Sequence, residues 1–150
     1  MSATSAEAAQ PGVSSTLELL LGELRRRGQR ITTGRRAITE VVVAAEDLSA
    51  EEIVNRVQRD HPDVHPSTVY RTLETLEEAG LVEHVHLGHG PARWQLANNP
   101  SHHLVCESCG TVQLVGREWF DEARSRIEAE FGFAIALHHF ATVGRCARCR

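Results

Sequence analysis

The sequence predicts an α/β (α+β) chain: an N-terminal winged-helix domain of the DNA-binding type, then a small C-terminal α/β domain suited to dimerisation. Three observations predict it. Four segments with helical spacing are followed by two short alternating strands, the order of a helix-turn-helix with a wing. All four cysteines fall in two CxxC pairs, Cys106–Cys109 and Cys146–Cys149, on either side of a strand–helix–strand pattern. Between the halves, Val82 to Cys109 holds five of the nine histidines. The expected division is a disordered tail at 1–15, a winged helix at 16–97, a hinge at 98–101 and a dimerisation domain with a structural zinc site at 102–150.

The elements follow in order. Residues 1–15 are rich in Ala, Ser, Gln, Gly and Pro, which suits a tail. Leu17, Leu20, Leu21 and Leu24 share one face of a first helix, ended by Gly28. Ile38, Val41, Val42 and Ala45 repeat the spacing, with Thr32 or Thr33 as cap. Ser49-Ala-Glu-Glu52 is a capping box that opens a third helix ending before Pro62. Pro66 suits the first position of a fourth helix, in which Val69, Leu73 and Leu76 face inward. Ser67, Thr68, Tyr70, Arg71 and Thr75 remain for its outer surfaces. Strands over 82–87 and 92–96, with Gly88-His89-Gly90-Pro91 as turn, complete the wing. A strand over 112–115, a helix from about Glu118 to Phe131 ended by Gly132, and a strand from Phe133 or Ala134 to Val143 follow.

A chain of 150 residues divided in two leaves each half a thin core, which a structural metal would reinforce. No apolar run approaches the ~20 residues of a membrane span, and no signal-peptide pattern opens the chain. A cytoplasmic location with reduced thiols is expected. The net charge of −4 does not announce a nucleic-acid binder. Its distribution does more: Arg25, Arg26, Arg27, Arg30, Arg35 and Arg36 lie in a stretch without an acid. In the winged-helix reading Ser67, Thr68, Tyr70 and Arg71 face base edges, while Arg35 and its neighbours reach phosphates. A protein-binding face is the alternative.

Two CxxC knuckles give the closed tetrahedral thiolate shell of structural Zn2+, with Cys106, Cys109, Cys146 and Cys149 as ligands. A reducing compartment and the lack of a βαβ pattern argue against disulfides or a redox CxxC. A closed shell and the lack of HExxH or H-x-E…P-C-x-x-C argue against a zinc hydrolase or deaminase. Strand–helix–strand buries its apolar side only partly, and the remainder suits a partner copy. His84 and His86, at i and i+2, share one strand face and can hold one ion. His102 and His103 are adjacent, as are His138 and His139. Neighbours in an extended chain face opposite ways, which suggests two separate sites. Polar surface histidines are the plainer alternative.

GQRITTGRRAI, PSTVYRTLETLEEAGLV, HHLVCESCG and GRCARC together resemble the ferric uptake regulator (Fur) family of bacterial metal-responsive transcription factors, over nearly the whole chain after the tail. The resemblance implies a winged helix, a hinge and an α/β dimerisation domain. It also implies a homodimer that binds a palindromic double-stranded DNA operator when a regulatory metal is bound, usually as a repressor. Tyr70 and Arg71 match the recognition-helix motif, and Arg35 matches the arginine that starts the second helix. GLVEHVHLGHGPARWQLA and FGFAIALHHFATVGRC look most like the nickel-responsive (Nur) branch, which implies Ni2+ held by His84, His86 and His139. Imidazole-rich ligation suits Ni2+, Zn2+ or Cu2+.

The sequence also departs from the family pattern. The hinge site of the family takes two alternate histidines before the first CxxC; His103 is kept, while Ser101 stands at the other position. Asp47 or Glu46 replaces a hinge histidine, and Ala97 lies near the place of a zinc-sensor cysteine. A further family site matches His102, Asp121 and His138, with Pro100 replacing its fourth ligand. A sensor of Fe2+, Mn2+ or Zn2+ (or of peroxide) would use His103, Glu83, His102, Asp121 and His138. A zinc-stabilised protein-interaction module is the reading from another class.

Overall fold

The computed structural model describes residues 12–45, 47–87, 90–97, 101–135 and 141–150. Helix α1 spans Val13–Arg26 and buries Leu17, Leu20, Leu21 and Leu24. It therefore begins inside the span expected to be tail. Leu17 can be helical only if a preceding turn supplies the carbonyls, since each helical N–H bonds four residues back. Helix α2, Thr33–Ala44, is capped by Thr32, whose hydroxyl accepts from the Arg35 N–H at 3.2 Å. A two-residue strand β1, Leu48–Ser49, comes next; periodicity cannot reveal a strand this short. Helix α3, Ala50–Asp60, has the expected capping box. The Glu52 N–H donates to Ser49 Oγ at 3.2 Å, and the Ser49 N–H donates to Glu52 Oε2 at 2.7 Å.

Helix α4, Pro66–Glu78, starts at an unforeseen cap: His65 accepts the Ser67 N–H on Nδ1. Strands β2 (Val82–Val85) and β3 (Arg93–Leu96) pair antiparallel, and β1 joins the outer edge of β3. Gly88 and His89 of the expected turn lie outside the described residues. One core fills this half. Leu24, Ile38, Ile53, Val69, Leu73 and Leu76 are wholly buried in it, with Val42, Leu48, Val57 and Val82 around them.

The second half carries its own sheet, in the order β5-β4-β6. Strand β4, Ser101–Cys106, takes in Ser101, which the sequence reading gave to the hinge. Strand β5, Val112–Gly116, pairs with it antiparallel, and β6, Thr142–Gly144, pairs with it in parallel. A tight 3-10 turn, Arg117–Phe120, leads into α5, Asp121–Phe131, so the expected helix start is one looser turn earlier than the α-helix itself. Gly132 ends α5 at φ 62°, a left-handed cap that suits glycine.

The last strand is shorter than expected: Phe133–Ile135 is not strand. Leu104 pairs with Thr142, and running that register back to Ser101 exhausts β4 well after Ile135. Among the described residues from 101 onward, only His102, His103 and Cys106 are buried. Helix α5 buries nothing within one chain.

Leu73→Ala removes a fully buried side chain at the centre of the first core. Chemical denaturation of the N-terminal half should show a loss of about 2–5 kcal/mol.

Candidate metal centres and nucleic-acid interface

The parallel register of β4 and β6 assembles the cysteines. Cys106 lies opposite Gly144, two residues before Cys146, and the Glu107 N–H donates to the Gly144 carbonyl at 2.9 Å. Within the first knuckle the Gly110 N–H returns to the Cys106 carbonyl at 2.9 Å, and φ at Gly110 is 71°. The Arg150 N–H makes the matching bond to the Cys146 carbonyl at 3.2 Å, and the Cys149 N–H reaches the same carbonyl at 2.9 Å. As a result the sulfurs of Cys106, Cys109, Cys146 and Cys149 all lie within 4.8 Å of one another. A tetrahedral ion with Zn–S bonds of ~2.3 Å sets its sulfurs ~3.8 Å apart. Cys109 Sγ and Cys146 Sγ stand 3.8 Å apart. The cluster fits structural zinc.

The surroundings also prepare the thiolates. Backbone N–H groups of Cys146 and then Cys109 point at Cys106 and lower its pKa to about 6, against the effect of burial. Hydrogen bonds from the Thr111 side chain and backbone lower Cys109. Crowding by Cys146 and Cys109 pushes Cys149 up to about 12. Without metal the cluster therefore keeps a proton on its last sulfur, and a bound cation removes the reason for it.

The wing holds a second constellation. His84 and His86 lie on one side of the β2 strand, with ring centroids 5.1 Å apart and planes at 88°. Two imidazoles bonded to one ion at ~2.1 Å have centroids roughly 4.5–5.3 Å apart, so this pair fits a shared ion. His84 Nδ1 lies 2.5 Å from Glu77 Oε1 on α4, and its ring is 5.3 Å from that of Trp94. His138 and His139 lie outside the described residues.

At the junction of the halves, His102 and His103 face opposite ways, as expected of neighbours in a strand. His103 Nε2 is 3.3 Å from Asp47 Oδ2, and His102 Nε2 is 2.9 Å from Thr142 Oγ1 beside the Phe120 ring. Glu83, nearly buried, accepts from Gln95 Nε2 at 2.8 Å and from the Arg117 guanidinium, which also donates to the Ser101 carbonyl at 3.2 Å. Arg93 bonds the Asp47 carboxylate at 3.1 Å and Glu52 at 2.7 Å. Asp121 pairs with Arg124 on its own helix at 3.1 Å. Among the described residues the only group of three or more metal-ligand atoms within 4.8 Å of one another is the cysteine cluster. His103, Glu83, His102 and Asp121 thus sit in separate polar contacts. Burial raises the pKa of Asp47, but hydrogen bonds from His103 and Arg93 outweigh it, and the carboxyl is held below its usual range.

The outer face of α4 presents Ser67, Tyr70 and Arg71, with Thr68 half-buried; Tyr70 is 49% exposed. The basic stretch is less free than its composition suggests. Glu23 pairs with Arg26 and Arg27, and Glu18 with Arg25 and Arg36. Both glutamates precede the acid-free window, Glu23 immediately and Glu18 by nearly two helical turns. Arg35 donates to Gln29 Oε1 at 3.0 Å and to the Arg30 carbonyl at 2.8 Å, and forms no ion pair with the described residues.

Sequence reasoning missed Glu77, Gln95, Arg93 and Arg117. Each meets its partner through tertiary packing, and no local spacing signals it. The signal for Glu23 was available, since Arg26 and Arg27 follow it at i+3 and i+4; Glu18 reaches Arg36 only because α1 packs against α2.

A winged helix joined to a small sheet closed by four cysteines defines a metal-dependent DNA-binding regulator as a class. The model of the Ferric uptake regulator family matches residues 26–143, and the chain belongs to that family. The ferric uptake regulation protein of Bacillus subtilis (strain 168) is 30% identical over 143 residues, covering 91% of this chain and 96% of the relative. The zinc uptake regulation protein of Mycobacterium tuberculosis (strain CDC 1551 / Oshkosh) is 31% identical over 125 residues, covering 82% and 96%. The solved structure of the ferric uptake regulator from Pseudomonas aeruginosa with manganese superposes with a TM-score of 0.70 at 29% identity, covering 86% of this chain and 98% of that one. The chain is accordingly a metal-responsive transcription regulator, from a family of dimeric DNA-binding proteins and not of enzymes.

Three outcomes follow from this geometry. Zinc titration of the reduced, metal-free protein at neutral pH should release protons, because Cys149 must ionise; calorimetry in buffers of different ionisation enthalpy reads the number. A Cys109→Ser variant should lose the tightly held zinc. Asp47→Asn should be less stable than the parent at neutral pH. Since the folded pKa of Asp47 is depressed, its contribution is present above the unfolded value of ~3.9 and is lost as pH falls through the folded one. The difference between the two proteins in urea denaturation should therefore shrink below about pH 4.

Proposed function

We propose that this chain is a cytoplasmic homodimeric repressor that binds a palindromic operator when Ni2+ occupies a site formed by His84, His86 and His139. Zinc at the four cysteines is structural in this reading. The domain division is that of the sequence, with 16–97 reading DNA, 98–101 as hinge and 102–150 forming the dimer. The observation that carries the choice of metal site is the His84–His86 pair, whose 5.1 Å separation suits a shared ion. Imidazole ligation favours nickel over manganese or iron among divalent ions. By contrast, Glu83 and Asp47 at the junction already hold guanidinium groups, which a metal there would have to displace.

Ser67, Thr68, Tyr70 and Arg71 would meet base edges, and Arg35 a phosphate. The dimer is supported by apolar side chains that one chain leaves bare: Trp119 at 79% exposure, Phe131 at 70%, Phe133 at 65% and Val143 at 52%. A ligand set spanning the wing and the C-terminal half gives nickel a reason to prefer one arrangement of the halves, and preference between states is all a ligand can contribute.

A second reading keeps the repressor and moves the sensed metal. The named relatives include iron and zinc regulators, and His102 and His103 are the buried histidines nearest the hinge. Fe2+, Mn2+ or Zn2+ would then be held by His103, Glu83, His102, Asp121 and His138.

The test selects a duplex from a random pool with zinc-loaded protein plus Ni2+, then measures its affinity by fluorescence anisotropy with each metal in turn. Nickel should strengthen binding at least about tenfold, and a His84→Ala, His86→Ala double variant should lose that gain. Arg71→Ala should weaken binding with every metal. Affinity that is the same with and without any metal overturns the switch. A double variant that keeps its metal response transfers the sensor to the junction.

A further inference from the structure

Glu77 has no place in the reading so far, yet it makes the shortest polar contact of either wing histidine. It lies in the last turn of α4, the helix whose opposite end presents Ser67, Tyr70 and Arg71. Its Oε1 stands 2.5 Å from His84 Nδ1, and both side chains are about one-third exposed. Trp94, opposite His84 across the β2–β3 pair, and His86 flank the same imidazole. The ring is thus oriented from α4, from β3 and from its own strand at once.

We propose that Glu77 is the positioning residue for the wing metal site and couples that site to the recognition helix. The proposal rests on the reading of His84 and His86 as metal ligands. A carboxylate that accepts the Nδ1–H of a neutral imidazole selects the tautomer whose lone pair is on Nε2. That is the form able to bind a divalent cation through Nε2. The same hydrogen bond fixes the ring plane and raises the basicity of the ligating nitrogen. Coordination in turn draws electron density from the ring and makes Nδ1–H a better donor. The Glu77 bond is then stronger with metal bound than without it, so metal occupancy tightens the attachment of β2 to α4. This supplies a direct path from the wing to the DNA-reading helix, and coupling through it works in both directions. An ordinary surface ion pair between Glu77 and a protonated His84 would leave both ring nitrogens protonated and would oppose metal binding.

The experiment uses the full-length, zinc-loaded chain and nickel ion alone as probe. Nickel affinity is measured by calorimetry for the parent, Glu77→Ala, Glu77→Gln and His86→Ala. The His84 tautomer is read from two-bond 15N–1H correlations in the nickel-free protein. Zinc content and circular dichroism report whether each variant folds. In Glu77→Ala, nickel affinity should fall about 10- to 100-fold, and His84 should leave the Nδ1–H tautomer. Glu77→Gln keeps an acceptor and should recover part of both. Parent-like nickel affinity in Glu77→Ala, with the site lost in His86→Ala, overturns the proposal and leaves the wing as the metal site. A loss of affinity with the tautomer unchanged also overturns it. Nickel affinity unaffected by His86→Ala removes the metal from the wing altogether, and the proposal with it. If Glu77→Ala fails to fold, the tautomer in the parent protein decides: a doubly protonated or Nε2–H His84 at neutral pH overturns the proposal.

Discussion

The second half of the molecule depends on the parallel pairing of β4 with β6. That register sets Cys106 beside Gly144 and so brings two knuckles, far apart in sequence, to one point. Among the described residues, the other strand pairing in this half is the antiparallel one of β4 with β5. Its buried side chains among the described residues are two histidines and one cysteine, where the first half buries a continuous aliphatic core. A small sheet with one amphipathic helix removes too little apolar surface from water to offset its conformational entropy. A four-thiolate cross-link supplies the missing free energy, and a partner copy would cover the aromatics left on the outside.

The two halves meet through polar groups. Asp47, held by Arg93 of its own half, receives His103, and Glu83, held by Gln95 of its own half, receives Arg117. Ion pairs and hydrogen bonds of this kind are directional, and each is worth little when partly exposed. They specify an orientation without the strength of a buried apolar interface. A metal bound elsewhere, with differential affinity of a few kcal/mol, is enough to bias such a junction.

Charge tells a similar story at the DNA face. The arginine-rich stretch is balanced by Glu18 and Glu23, which leaves Arg30 and Arg35 as its cations without an ion pair to a described acid. Non-specific attraction to phosphate is thereby moderated. The net charge of −4 is compatible with a DNA reader for this reason.

The sequence by itself determined the helices, the Thr32 and Ser49 caps and the four-cysteine cluster. Those features are local: apolar spacing selects a buried face, Ser49 and Glu52 bond within one turn, and CxxC fixes two sulfurs on one knuckle. It also placed His84 and His86 together, because alternation in a strand is geometric. Tertiary structure alone decided which partners those residues meet. Glu77 reaches His84 only because α4 packs against β2, and Asp47 reaches His103 only because the halves dock. Phe133–Ile135 likewise stands outside the strand that the apolar run up to Val143 suggested. Short-range rules are written into residue spacing. Contacts between elements depend on packing geometry, which a single sequence states only in aggregate.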